Sequence, residues 1–213
     1  MDVKKNEVYG LTKILILDDH EVVVSGIQNI LKQSFKAQCC CATNVASALS
    51  FLENNTFDIV VLDLELKGEN AFEVIKTVQA KYPNTKILIY SMHDEPWLLA
   101  KVIDYDIQGY LTKSEPVSNL VEAISSIKSG HSYFCESFTN FKRLKADNYQ
   151  LTPRECDVMF KVIEGLSSTE ISEQLCLSVN TVNSHRKRIM QKLGVNNVVE
   201  LLNVVSQKKI LDK

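Results

Sequence analysis

The chain has no run of about 18 apolar residues, which excludes a membrane-spanning helix. Its first residues, Met1-Asp2-Val3-Lys4-Lys5, lack the apolar core of a signal peptide and lead straight into a strand pattern. The expected location is therefore the cytoplasm, with no membrane partner. There is no internal repeat and no low-complexity tract, so neither a solenoid nor a disordered scaffold is indicated. Among the six cysteines no CxxC spacing occurs. Cys39, Cys40 and Cys41 are consecutive and would alternate faces of a strand, a poor arrangement for disulfides. Cys135, Cys156 and Cys176 lie far apart, and reduced, mostly buried thiols are expected. The four histidines, His20, His93, His131 and His185, have no partner at ligand spacing and read as structural or phosphate-contacting residues.

What is present is the material of two domains. The 213 residues, 45% of them hydrophobic, are enough for two cores of ordinary size. The net charge of −2 is unevenly spread: from Leu151 onward nine Lys and Arg face seven Asp and Glu, leaving that tail at +2. A mildly acidic whole therefore does not argue against a nucleic-acid partner for the tail.

Through about residue 130, short apolar runs alternate with amphipathic stretches. Strands are predicted at Lys13–Leu17, Gln38–Ala42, Phe57–Leu62, Lys86–Tyr90 and Gln108–Leu111. Helices are predicted at 21–35, 44–54, 71–82, 95–104 and 116–129. Such alternation predicts a doubly wound, five-stranded parallel sheet with helices on both faces. From His131 to Gln150 the periodicity fails, which suggests a linker with room for a short helix. From 151 to 213 the pattern is all helical. Thr152 and Glu155 have capping-box spacing with Pro153 at the first helical position, and Ser167 and Glu170 repeat the spacing. Ser178 starts a further helix that Gly194 ends, and Asn197 to Glu200 starts a last one.

The strand assignments place chemistry at one edge. Asp18 and Asp19 follow the first strand, Asp63 the third, Ser91 the fourth and Lys113 the fifth. In a parallel sheet all five gather at the carboxyl edge, where such sheets bind ligands. Converging carboxylates repel one another and call for a cation, and an oxygen-only donor set favours Mg²⁺. The metal, with Lys113, would neutralise a phosphoryl group arriving at Asp63.

On these residues the stretch 12–130 resembles a response-regulator receiver domain, a flavodoxin-like fold. The resemblance implies that Asp63 is the phosphoacceptor, that Asp18 and Asp19 with Asp63 hold Mg²⁺, and that Ser91 and Lys113 contact the phosphoryl oxygens. It also implies that Tyr110 is the switch aromatic, moving into the space left when the Ser91 hydroxyl is drawn to an anion at Asp63. The chain departs from the family pattern at Lys67, where Pro is usual, at Ala71, where Gly is frequent, and at Asp106, a common Gly position. Glu65 stands where the family tunes phosphate lifetime.

The tail carries a helix-turn-helix pattern. The helix expected from Val179 to Leu193 would be about 22 Å long. Val182, Ile189 and Leu193 form its core face, while Asn183, Ser184 and Lys187 share another face. Asn suits adenine and Lys suits guanine in the major groove. Thr181, His185, Arg186, Arg188 and Lys192 would hold phosphates. This tail is similar to the LuxR-type four-helix DNA-binding domain, and the domain order to that of NarL/FixJ-type response regulators: 1–130 receiver, 131–150 linker, 151–213 helix-turn-helix. The resemblance implies a DNA-binding transcription regulator of a bacterial two-component system. Its partners would be double-stranded promoter DNA and a sensor histidine kinase that phosphorylates Asp63. A homodimer would form on phosphorylation, and an auxiliary regulator is a further candidate partner. Such a protein is not an enzyme beyond its own phosphoryl transfer and slow dephosphorylation. One alternative is a regulator that works without phosphorylation, under a partner protein or ligand. Another is an aspartyl-phosphate phosphatase, which the adjacency of Asp18 and Asp19 and the lack of an evident general acid disfavour.

Overall fold

A computed structural model describes residues 11–146 and 151–207. The N-terminal stretch 1–5, residues 147–150 of the expected linker, and the charged tail residues Lys208, Lys209, Asp212 and Lys213 lie outside the described residues. The fold divides into two compact units, with breaks after His93, after Asp104 and after Cys135.

The first unit is built on a parallel sheet. Its strands are β1 (Thr12–Leu17), β2 (Ala37–Ala42), β3 (Ile59–Leu62), β4 (Lys86–Ser91), β5 (Gly109–Thr112) and β6 (Tyr133–Phe134). Their order is β2-β1-β3-β4-β5-β6. Helices α1 (Glu21–Ser34), α2 (Val45–Asn54), α3 (Phe72–Lys81) and α5 (Val117–Lys128) belong to the crossovers, and α4 (Pro96–Val102) follows β4. Every residue of β3 and β5 is buried, as expected of strands covered on both faces. The apolar sides of the helices supply the cover, with Val24, Ile27 and Leu31 from α1 and Leu120, Ala123, Ile124 and Ile127 from α5.

Six strands replace the five expected. β6 has two residues, too few to show a period, and pairs with β5 through Gly109–Tyr133 and Tyr110–Phe134. Gly109 makes the pairing possible, since a Cβ there would lie 2.5 Å from Leu88 Cδ1 and 3.0 Å from the Tyr133 carbonyl oxygen. Asp106 does not use a left-handed backbone. Among the described residues the one non-glycine with positive φ is Cys176, at +52°.

The second unit contains α4, α6 (Glu136–Ala146), α7 (Pro153–Ile163), α8 (Ser168–Gln174), α9 (Val179–Leu193) and α10 (Val198–Gln207). Its grouping departs from the sequence boundaries because α4 packs on α6 and α7. Val158, Met159, Val162, Ile171, Val182, Ile189, Val195 and Leu201 form its core. Both capping boxes are present, Thr152 with Glu155 and Ser167 with Glu170. Each satisfies backbone N–H groups that a helix start otherwise leaves unpaired. Gly194 ends α9 in the left-handed region at φ +67°, where a side chain would be strained. The expected four helices of the tail, α7 to α10, are thus present. No described helix is long and apolar enough to cross a membrane.

Candidate functional site

The order of strands reverses between β1 and β3, which makes their carboxyl ends the switch point of the sheet. Asp18 is the first residue past β1 and Asp63 the first past β3. Backbone bonds continue beyond the strand ends and fix both. Asp18 N–H donates to Ala42 O at 3.2 Å, Asp63 N–H to Leu17 O at 2.8 Å, and Lys113 N–H to Ser91 O at 2.7 Å. The sheet therefore delivers Asp18, Asp63, Ser91 and Lys113 to one edge by the same ladder that holds it together.

Lys113 is the centre of the cluster. Its ammonium donates to Asp18 Oδ2 at 2.6 Å and to Asp63 Oδ2 at 2.5 Å, and all three side chains are buried. The second oxygen of Asp63 accepts from Glu65 N–H at 3.1 Å. Burial pushes the Asp63 carboxyl above its usual range and the Asp18 charge adds to this, while Lys113 and the Glu65 N–H act against it. Burial alone would lower Lys113, but its bonds to Asp18 and Asp63 outweigh that and raise it. The lysine is thus held charged between two carboxylates.

Asp19 completes the acidic set. Its Oδ1 is buried without an aligned hydrogen bond, although His20 Nδ1 stands 2.8 Å away. Asp18, Asp19 and His20 offer donor atoms within 4.8 Å of one another. A buried, unsatisfied carboxylate oxygen is costly unless a cation or donor meets it. Carboxylate oxygens from Asp18, Asp19 and Asp63 suit a hard divalent ion such as Mg²⁺. The grouping of His20 with the aspartates was not expected from its spacing; the signal available was its adjacency, Asp18-Asp19-His20.

Ser91 is fully buried and its Oγ accepts from His93 N–H at 3.3 Å. Tyr110 is fully buried as well, and its hydroxyl donates to the His93 carbonyl at 2.6 Å. The His93 ring meets Glu65 at 2.8 Å. His93 thus touches Glu65, the Ser91 hydroxyl and the Tyr110 hydroxyl. Two of these contacts are through its backbone, and no sequence pattern reports those.

In the helical unit, α9 presents Asn183, Ser184, Lys187 and Arg188 as exposed residues, with Val182 and Ile189 on the buried side. Ser184 Oγ donates to Asn180 O at 2.9 Å. Thr181 joins the helix start, its N–H donating to Ser178 Oγ at 3.0 Å. Arg186 turns toward α8 and donates to Ser168 Oγ at 3.3 Å. His185 is half-buried, with Nδ1 buried and without a hydrogen bond. Lys192, grouped by sequence with the phosphate-holding residues, pairs with the buried Glu155 at 2.6 Å. The structure therefore gathers Asn183, Ser184, Lys187 and Arg188 on one exposed surface and gives Arg186 and Lys192 partners within the unit.

The described cysteines are all free. Burial pushes Cys39 up to about 11 and Cys156 up to about 12, the opposite of an activated thiolate.

Comparison with known proteins agrees with this geometry. The model of the response regulator receiver domain matches residues 14–125, and that of the luxR family of bacterial regulatory proteins matches residues 149–205. The Fimbriae Z protein of Salmonella typhimurium is 29% identical over 205 residues, covering 93% of this chain and 98% of the relative. Response regulator UvrY of Escherichia coli K12 is 30% identical over 206 residues, covering 91% and 93%. Among solved structures, the complex of the two-component response regulator RcsB with DNA superposes with a TM-score of 0.61 at 28% identity, covering 92% of this chain and 98% of that one.

Proposed function

Because the chain belongs to the NarL/FixJ-type response regulators, which join a receiver domain to a LuxR-type helix-turn-helix, we propose that it regulates transcription by binding promoter DNA when Asp63 is phosphorylated. The observation that carries this reading is the Lys113 ammonium shared between Asp18 and Asp63 at the carboxyl edge of the sheet.

A sensor histidine kinase supplies the phosphoryl group. The bond to the kinase histidine breaks as a bond to an Asp63 oxygen forms, and the charge spreads over three phosphoryl oxygens. Asp18, Asp19 and Asp63 would hold Mg²⁺, which supplies the charge neutralisation that transfer between anions requires. Lys113 is already aimed at Asp63 and can meet one phosphoryl oxygen. Ser91 can meet another when its hydroxyl turns toward the acceptor. That movement changes the contact between Ser91 Oγ and the His93 N–H, in the loop that also receives the Tyr110 hydroxyl. The site thus performs one transfer onto itself and turns over no external substrate.

On the output side, α9 lies in the major groove with Asn183 and Lys187 reading base edges and Arg188 on phosphate. A homodimer would place two such helices on half-sites about one helical turn apart. A cytoplasmic location follows from these partners.

The test is DNA binding and oligomeric state with Mg²⁺ and a small-molecule phosphodonor, for wild type beside Asp63→Asn. A donor-dependent gain in wild type alone is expected. Equal binding with and without donor would move control to a partner protein or ligand, the alternative reading.

A further inference from the structure

Ser168 is the first residue of α8, but the capping of that helix is done by Ser167, whose side chain accepts from Glu170 N–H. The Ser168 hydroxyl is therefore available for another task. Its Oγ lies 2.7 Å from Asn183 Oδ1 on α9, and Arg186 Nη1 lies 3.3 Å from the same Oγ. The chemistry of the three groups sets the direction of both bonds. A guanidinium has donors only, so Arg186 gives its hydrogen to Ser168 Oγ. The Ser168 hydrogen is then directed to an acceptor, and the short contact to Asn183 Oδ1 has the length of an O–H···O bond. The reverse orientation of the amide would bring two donors to Oγ and leave the Ser168 hydrogen without its partner.

We infer that Ser168 is a specificity-determining residue that presets the Asn183 side chain, oxygen inward and NH₂ outward, so that α9 selects a base offering acceptors to the major groove. The inference rests on the reading of α9 as the base-reading helix and deepens it. Bidentate pairing with adenine, expected from the residue type alone, needs Oδ1 to accept from the adenine amino group. In this chain the Ser168 hydroxyl takes one of the two lone pairs of that oxygen and ties it to α8, which works against the amide turning to accept from an adenine amino group. Guanine, with N7 and O6, and thymine, with O4, ask only for donors. Lys187, one helical turn along the same face, follows the same sense, since an ammonium has donors only.

The experiment is selection from a random-sequence duplex library by the full chain with Mg²⁺ and phosphodonor. The proteins are wild type, Ser168→Ala, Ser168→Thr, Asn183→Ala and Lys187→Ala. Asn183→Ala identifies the base position that residue 183 reads. Wild type and Ser168→Thr, which keeps the hydroxyl, should select guanine or thymine there. Ser168→Ala should raise the enrichment of adenine at that position by about five-fold, the lower end of what a bidentate contact discriminates. A loss of fold cannot mimic this, because it lowers all binding without moving one base preference. A Ser168→Ala profile equal to wild type, at a position that Asn183→Ala does change, overturns the inference and leaves the reading of α9 standing. Profiles unmoved by both Asn183→Ala and Lys187→Ala overturn the reading of α9 and the inference with it.

Discussion

Lys192 and Glu155, on α9 and α7, form an ion pair of 2.6 Å in which the carboxylate is 3% exposed. The same carboxylate closes the α7 capping box by accepting from Thr152 N–H at 2.8 Å. Burial would raise Glu155, but the bonds from Lys192 and Thr152 prevail and hold it below the ordinary glutamate value of 4.5. A carboxyl depressed by folding binds its proton more weakly in the folded than in the unfolded chain. Its stabilisation is complete above 4.5 and is lost as pH falls through the lower folded value. Lys192→Met should cost about 1–3 kcal/mol at neutral pH, because a buried acceptor loses a partner. It should also flatten the acid limb of stability relative to wild type. Urea midpoints of the two proteins at a series of pH values check both; parallel curves would remove the pair from acid sensitivity.

Lys113→Ala should be severe. It leaves Asp18 and Asp63 facing each other without their cation, and breaking a buried pair costs about 3–5 kcal/mol. Mg²⁺ should restore part of the loss. The rise in Tm on adding Mg²⁺ should therefore be larger in Lys113→Ala than in wild type, and absent in Asp19→Asn. Calorimetric scans with Mg²⁺ and with a chelator decide this.

Tyr110→Phe keeps the ring and removes the bond to the His93 carbonyl. A bond worth about 1 kcal/mol holds the ring in its buried position roughly five-fold. The phosphodonor-dependent gain in DNA binding should fall by up to about that factor, measured as Kd with and without donor. An unchanged gain would separate the phenol from the switch.

Lys187→Ala and Arg188→Ala should differ in kind. Lys187→Ala should cost about 1–3 kcal/mol at the specific site and relax preference at one base. Arg188→Ala should weaken all duplexes alike and reduce the salt slope by about 1. Salt titrations on one selected and one scrambled duplex distinguish them.

The carboxyl-edge cluster was legible because strand ends are legible: an apolar run followed by Asp or Lys locates the residue before any contact is known. The capping boxes and Gly194 were legible for the same reason, being local rules of helix ends. What escaped was either short or remote. β6 has two residues and depends on Gly109 lacking a Cβ. Lys192 meets Glu155 from 37 positions away, so its charge read as surface. Asn183 read, by residue type alone, as suited to adenine, because its partner Ser168 sits 15 positions earlier on another helix. His93 acts in part through backbone atoms, to which any residue type contributes.

The loop through His93 has a consequence for how such a chain can diverge. One residue meets the Glu65 side chain, two past Asp63, the Ser91 hydroxyl and the Tyr110 hydroxyl. Under the proposed phosphorylation of Asp63, how long a signal lasts and how strongly it is passed on would therefore depend on the same few atoms. A lineage that altered the duration of its response by substitution here would alter the amplitude in the same event. The two traits would be inherited as one.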